Sequence, residues 1–360
     1  MMTRAGLLLS GGLRRCRQIL RRNCVPRIVT LRRKISDGID GVDNTDVFQV
    51  QDRVKNALAE GKPVCALEST IVAHGMPFPE NLQLAQEVEQ ILEYNGVVPA
   101  TIAVRDGVCR VGISGEELHD LARAGEEGRA QKCTTRDLPV ILATVGSQKK
   151  KGTMWGATTV ASTMKLAHLA GISTFVTGGI GGVHRNGEVS MDISSDLTEL
   201  GQTPVVVVSA GIKSILDIRR TIEVLETNGV PTFGWQTDEF PAFFSPSSRL
   251  SSPARADTPE EIANAYWAAR QLQLPQGILV GVPNNDPSGA NVEVAIQAAL
   301  TEAEELEIHG QDVTPYILKT VAEKTGGDSL KSNMALVRQN AVVGAKIAIA
   351  ISDVLRARNS

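Results

Sequence analysis

Glu68 stands at the end of a short apolar run, in Ala66-Leu67-Glu68-Ser69-Thr70. A carboxyl at a strand end, with hydroxyls beside it, suits a general acid or base. A turn or helix-capping carboxylate is the plainer alternative. Lys213 follows Ser209-Ala210-Gly211-Ile212, directly after the most apolar run of the chain, Pro204 to Ser209. A lysine delivered from a strand end into a partly desolvated pocket can lose its proton and form a Schiff base with a sugar aldehyde. The plainer alternative is a solvated lysine at a helix start, where cations are disfavoured.

Two carboxylates lie four apart in Asp192-Ile193-Ser194-Ser195-Asp196. On one helix face they would repel unless a cation intervened, and oxygen ligands of this kind suit Mg²⁺ or Mn²⁺. An N-cap Asp followed by a first-turn Asp reads equally well. Gly178-Gly179-Ile180-Gly181-Gly182 lets backbone approach a phosphate or ligand closely, but it is neither a dinucleotide fingerprint nor a P-loop. His184, just beyond it, is by itself more simply a structural histidine.

These residues fall between short β-branched runs and longer helical stretches. Strands are expected at 64–67, 140–144, 174–177, 204–209, 231–235 and 277–281. Ala100–Val104 and Val108–Val111 flank Arg105-Asp106-Gly107, a hairpin turn. Helices are expected after Pro79-Glu80-Asn81, over 157–170 and 214–227, and from the capping box Thr258-Pro259-Glu260-Glu261. Three more close the chain near 290–307, 313–325 and 331–355. Strands alternating with helices imply an α/β protein, a three-layer α/β/α sandwich, and the hairpin makes its β-sheet mixed. Active sites in such sheets collect at strand carboxyl ends, where Glu68 and Lys213 fall.

The chain has 360 residues, 42% hydrophobic and 21% charged, which is ample for a core. No apolar run reaches the roughly 20 residues needed to span a bilayer, so no membrane role is expected. Cys16, Cys24, Cys65, Cys109 and Cys133 form no CxxC pair, which argues against a disulfide framework or a zinc site. Residues 1–36 contain no acid, and the first is Asp37. Arg4, Arg14, Arg15, Arg17, Arg21, Arg22, Arg27, Arg32, Arg33 and Lys34 are interleaved there with leucine and isoleucine. This is the composition of a mitochondrial transit peptide, with a basic arm touching RNA or anionic lipid as the alternative. Residues 37–46 read as linker and 47–357 as the folded domain. The formal net charge is −3, and without the first segment the chain is clearly acidic, so nucleic acid is not an expected partner.

Taken together the segments resemble one family. Cys65 to Pro77, Thr135 to Pro139, Gly156 to Ala161, Thr177 to His184, Asp192-Ile193-Ser194, Ser209 to Asp217 and Thr325 to Leu330 are similar to the signatures of the pseudouridine-5'-phosphate glycosidases, the indigoidine synthase A-like family. The likeness runs from about residue 48 to about 355. It implies reversible cleavage of the C–C glycosidic bond of pseudouridine 5'-phosphate to uracil and ribose 5-phosphate, by an enzyme grouped with the hydro-lyases. It also implies Mn²⁺ and a homotrimer. By the same resemblance Lys213 is the imine-forming lysine, Glu68 the proton donor and Asp192 the metal ligand. Ser194, Ser195, Asp196, Lys132 and Val160 contact substrate, and Thr177, His184 and Asn333 line the phosphate and base subsites.

Two stretches depart from the family pattern. The loop from Thr144 to Trp155, with Lys149-Lys150-Lys151, is longer. Gly281-Val282-Pro283-Asn284-Asn285-Asp286 replaces the usual Ala-Asn-Pro-Ile-Pro-Glu-Glu. Some relatives carry a fused sugar-kinase domain, and none is expected here. Two rival readings are a ribokinase-type sugar kinase, for which the sequence offers no anion hole with a late catalytic Asp, and a non-catalytic relative, against which the intact Glu68, Asp192 and Lys213 speak.

Overall fold

The computed structural model describes residues 47–143, 153–286, 291–308 and 313–359. The expected address segment 1–36, the linker 37–46 and residues 144–152 of the long loop lie outside the described residues. In chain order the elements begin with β1 (Phe48–Val50), α1 (Asp52–Ala59), β2 (Val64–Leu67), α2 (Thr70–His74), α3 (Glu80–Tyr94), β3 (Val98–Arg105) and β4 (Val108–Val111). Then come α4 (Gly115–Ala124), β5 (Ala130–Cys133), α5 (Leu138–Ala143), β6 (Trp155–Thr158), α6 (Val160–Ala170), β7 (Thr174–Val176), β8 (Val183–His184), α7 (Gly187–Ser190) and α8 (Ser195–Leu200). The remainder is β9 (Val206–Ser209), β10 (Leu216–Asp217), α9 (Ile218–Thr227), β11 (Thr232–Trp235), β12 (Ala254–Ala256), α10 (Pro259–Gln271), β13 (Ile278–Gly281), α11 (Asn291–Glu305), α12 (Val313–Lys324) and α13 (Asp328–Asn359).

An eleven-stranded sheet runs β1-β4-β3-β2-β7-β9-β13-β11-β12, with β6 beside β3 and β5 beside β6. Helices cover both sides, which is the expected α/β architecture. Its centre, β2-β7-β9-β13-β11, is parallel, while β3 is antiparallel to β4 and to β6, so the sheet is mixed. Strands covered on both faces need apolar residues at every position, and Val206, Val207 and Val208 are wholly buried. The hairpin turn puts Asp106 and Gly107 in the left-handed region, as a two-residue loop between twisted strands requires. At the start of α10 the Thr258 N–H donates to the Glu261 carboxylate at 3.1 Å, half of the expected capping box.

α13 is long and apolar enough to cross a membrane by length and composition, yet most of its apolar window is buried inside the protein. It lies so close to β7 that a Cβ on Gly344 would fall 2.1 Å from Val176 Cγ2. Cys65, Cys109 and Cys133 are buried free thiols.

Three element boundaries differ from expectation. Residues 138–143 form α5, not a strand. The Leu138 N–H donates to the Thr134 carbonyl and the Ile141 N–H to the Asp137 carbonyl at 2.9 Å, a helical pattern begun at the Thr134 turn. A six-residue apolar run carries no periodicity that separates helix from strand. Ala157 and Thr158 belong to β6, and the helix starts at Val160. The Thr159 N–H donates to Ser162 Oγ at 2.9 Å, which makes Thr159 the cap. The helix expected from Ser214 begins at Ile218, because Asp217 caps it through the Arg220 N–H at 2.9 Å.

Candidate active site

β2 ends at Leu67, opposite Val176 of β7 in the parallel register. The next residues, Glu68 and Thr177, therefore meet above the sheet edge, and the Thr177 hydroxyl donates to the Glu68 carboxyl. The chain then turns sharply into α2, and this turn is tied to the end of β6. The Thr70 hydroxyl donates to the Ala157 and Thr158 carbonyls, and the Thr158 N–H donates to Ser69 Oγ. Glu68 is 8% exposed. Burial raises its pKa, and Asp196 adds to the rise. The Lys213 charge and hydrogen bonds from Thr177 and the Ile71 N–H pull the other way.

Five residues of backbone after β7 order the rest of the site. Thr177 carries the bond to Glu68. Gly178 faces Ile71 and Asn333, and a Cβ there would lie 3.5 Å from Ile71 Cδ1 and 3.6 Å from Asn333 Oδ1. A Cβ on Gly179 would fall 2.5 Å from the ring of Phe243. The Ile180 carbonyl accepts the N–H of Lys213 at 3.2 Å, which anchors the lysine after β9. A Cβ on Gly181 would fall 2.3 Å from Ser194 Oγ. Gly179 and Gly181 are thus required by contacts within the site, not only by freedom at a turn.

Asp196 holds the far end of this loop. One carboxylate oxygen accepts the Ala161 N–H at 3.0 Å and the other accepts the Gly181 N–H at 2.8 Å. Ser194 caps α8, with its Oγ accepting the Asp196 N–H at 3.3 Å. Asp192 lies before that cap, so the two carboxylates do not share a helix face. The Asp192 carbonyl accepts the His184 N–H, and its carboxylate is 3.8 Å from His184 Nδ1. Burial lowers the His184 pKa, Asp192 opposes this, and the charges of Lys132 and Lys213 reinforce it.

Most of the side chains just described surround one cavity of about 340 Å³. Glu68, Lys132, Val160, His184, Asp192, Ser194, Ser195, Asp196, Lys213 and Asn333, all expected from sequence, line it. Thr177 does not. Its hydroxyl is turned onto Glu68, and it lines a smaller adjoining cavity behind the acid. The cavity also takes His74, Thr134, Arg136, Thr159, Phe243 and Leu318, which sequence reasoning did not single out. His74 and Arg136 lie inside stretches that carried the family resemblance. Phe243 lies in none, and nothing local marks it. His74 Nε2 is buried without a hydrogen-bond partner, and its pKa is lowered by burial first and then by the charge of Lys132.

The sequence pattern of the indigoidine synthase A-like proteins matches residues 53–350. The chain belongs to the indigoidine synthase A-like family. A pseudouridine-5'-phosphate glycosidase of Arabidopsis thaliana is 48% identical over 312 residues, covering 86% of this chain and 92% of the relative. One of Deinococcus radiodurans is 50% identical over 304 residues, covering 84% of this chain and 94% of the relative. Among solved structures, the prealnumycin C-glycosynthase AlnA in complex with ribulose 5-phosphate superposes with a TM-score of 0.77 at 36% identity, over 87% of this chain and 99% of that one. An indigoidine synthase A-like protein of Thermotoga maritima gives 0.72 at 35% identity, over 85% and 97%. The similar proteins are thus named as pseudouridine-5'-phosphate glycosidases and, among solved structures of the same fold, as a C-glycosynthase.

Among the described residues no group of three or more His, Cys, Asp or Glu could cage a metal ion. Asp192 is a part-exposed carboxylate at the cavity wall, 3.8 Å from His184 Nδ1, and Ser194 and Ser195 line the same cavity. That donor set fits a hydrated Mn²⁺ or Mg²⁺ that takes its remaining ligands from water and substrate oxygen.

Proposed function

We propose that this chain is a pseudouridine-5'-phosphate glycosidase that cleaves its substrate reversibly to uracil and ribose 5-phosphate through an imine on Lys213. The single observation that carries this reading is the delivery of Glu68 and Lys213 into one cavity from the ends of β2 and β9, the two strands that flank β7. Relatives named for this activity, similar over most of the chain, support it.

A C–C bond to a base is not released by the two-carboxylate chemistry of ordinary glycosidases. It needs an electron donor on the sugar's anomeric carbon, a role that the nitrogen lone pair of a lysine bonded there can fill. Protonation of the ring oxygen breaks its bond to C1 and opens the ribose, the Lys213 amine adds to C1, and the nitrogen lone pair then forms the imine as the bond from C1 to uracil breaks. The bonding pair stays with the uracil carbon, which takes a proton, and water then hydrolyses the imine. Glu68, with its raised pKa, retains a proton at pH values where exposed carboxylates have lost theirs, so it suits the donor role. Lys132 and Arg136 supply positive charge, and His184 a polar partner, for a phosphate ester. A divalent ion held by Asp192, Mn²⁺ on this reading, would supply positive charge to the sugar-phosphate oxygens. We also assign the chain to a homotrimer and to the mitochondrion, the latter from the composition of residues 1–36.

Incubation with pseudouridine 5'-phosphate and Mn²⁺ tests the proposal. Uracil release is the expected result. Binding without release would favour the non-catalytic reading, and neither binding nor release would overturn the assignment.

A further inference from the structure

Phe243 is 2% exposed and has a φ of 60°, in the left-handed region that side chains other than glycine seldom occupy. Such a conformation persists only when its surroundings over-determine it. Here they do. The Phe243 N–H donates to the Ala210 carbonyl at 2.9 Å, and its own carbonyl accepts from Asn284 Nδ2 at 3.2 Å. On either side, Ser214 Oγ donates to the Ala242 carbonyl at 2.6 Å and accepts the Phe244 N–H at 3.3 Å. The ring is pressed against Gly179 and meets Phe244 edge-on at 4.7 Å.

Asn284 does more than hold Phe243. It is 2% exposed, and its Nδ2 also donates to Ser332 Oγ at 2.9 Å. Ser332 Oγ donates onward to the Asp286 carbonyl, whose N–H donates back to Asn284 Oδ1. Gln339 completes the attachment. Its Oε1 accepts the Asn285 N–H at 3.1 Å and its Nε2 donates to the Pro283 carbonyl at 2.9 Å. One buried amide therefore fastens the Phe243 segment to α13 at the residue before Asn333.

We infer that Asn284 is a positioning residue for the end of the cavity that takes the planar, neutral base. The order along the loop after β7 supports this. Gly178 and Gly179 face Asn333, Ile71 and Phe243, an apolar end with one amide. Gly181 faces Ser194 and Asp196, the polar end, which is anchored separately through the Ala161 and Gly181 N–H groups. Lys213 lies between, bonded to Ile180. Releasing Asn284 loosens two walls of the first end and none of the second.

The inference rests on the proposed function and is tested in the synthetic direction, with uracil and ribose 5-phosphate as substrates. In Asn284→Ala the KM for uracil rises about tenfold, the scale of a lost buried hydrogen-bond pair. The KM for ribose 5-phosphate, and its borohydride trapping on Lys213, stay within about twofold. Asn284→Asp keeps the acceptor for Asp286 but loses both donors, and it behaves like the alanine variant. Ser332→Ala raises the KM for uracil by less, and the double variant with Asn284→Ala is no worse than Asn284→Ala alone, because the two bonds lie on one path. If Asn284→Ala fails to fold, the aspartate and Ser332→Ala variants carry the test. Equal rises in both KM values, or no rise in any folded variant, overturn the inference. A wild type that neither traps ribose 5-phosphate nor makes product overturns the functional reading, and this inference with it.

Discussion

The hydroxyl of Thr177 donates to the carboxyl of Glu68 across 109 residues of chain. Strand register brings the two together, because Leu67 and Val176 are the last paired residues of β2 and β7. The acid is therefore set by the sheet itself, and its surroundings rather than a flexible loop determine its proton affinity.

That arrangement predicts a pH signature in stability. Burial holds the Glu68 pKa above the ordinary carboxylate range. Between the unfolded and folded values the native state binds more protons, so wild-type stability falls as pH rises through that window. Glu68→Gln carries no such penalty. Its advantage in thermal unfolding should be absent at acid pH, grow across the window and then level off, while uracil release is lost. Parallel stability curves for the two proteins would show that the carboxyl is not protonated in the fold.

Lys213 is expected to carry the covalent adduct. Borohydride should trap ribose 5-phosphate on it, read by mass spectrometry of the digested protein. Lys213→Ala should abolish trapping and uracil release, by at least about a thousandfold, the scale of a lost covalent catalyst. Lys213→Arg should not rescue, because a guanidinium stays protonated. An adduct on Lys132, with turnover persisting in Lys213→Ala, would reassign the nucleophile.

Asp192 and Asp196 should separate by experiment. Asp192→Ala should lose about a hundredfold in turnover, and excess chelator should do the same to wild type, with little change in melting temperature. Asp196→Ala frees the Ala161 and Gly181 N–H groups and should cost about 2–4 kcal/mol of stability. Full activity in chelator would remove the metal from the mechanism. Equal melting temperatures would remove Asp196 from the scaffold.

A fusion of residues 1–40 to a fluorescent reporter should enter mitochondria, because the first 36 residues carry cations and no acid. Diffuse cytosolic fluorescence would count against the assignment.

The acid and the lysine were legible because each stands at the end of an apolar run, and parallel sheets gather strand ends on one edge. The three-layer architecture followed from the same alternation. Residues 138–143 were not legible, since six apolar residues have no period, and the helix is started by the Thr134 turn. The two readings of Asp192 and Asp196 could not be separated in sequence, where spacing alone does not tell which residue caps α8. Ser194 does. Nor could the roles of Thr177, Phe243 and Asn284 be read. A threonine turned onto a distant carboxyl, and an asparagine joining two remote segments, leave no local pattern. The Asn284 stretch, read only as a departure from its family, is a buried hub.

α13 is the last element among the described residues, and it supplies Asn333 to the cavity wall and Asn340, whose side chain donates to the Thr177 carbonyl at 2.8 Å. A ribosome releases the chain in order, so Glu68 and Lys213 emerge well before the helix that completes their surroundings. The nascent polypeptide carries both side chains but no formed cavity around them, and the cavity is completed only when α13 has left the ribosome. A premature stop codon ahead of α13 would accordingly yield a chain without a site, not a slower enzyme.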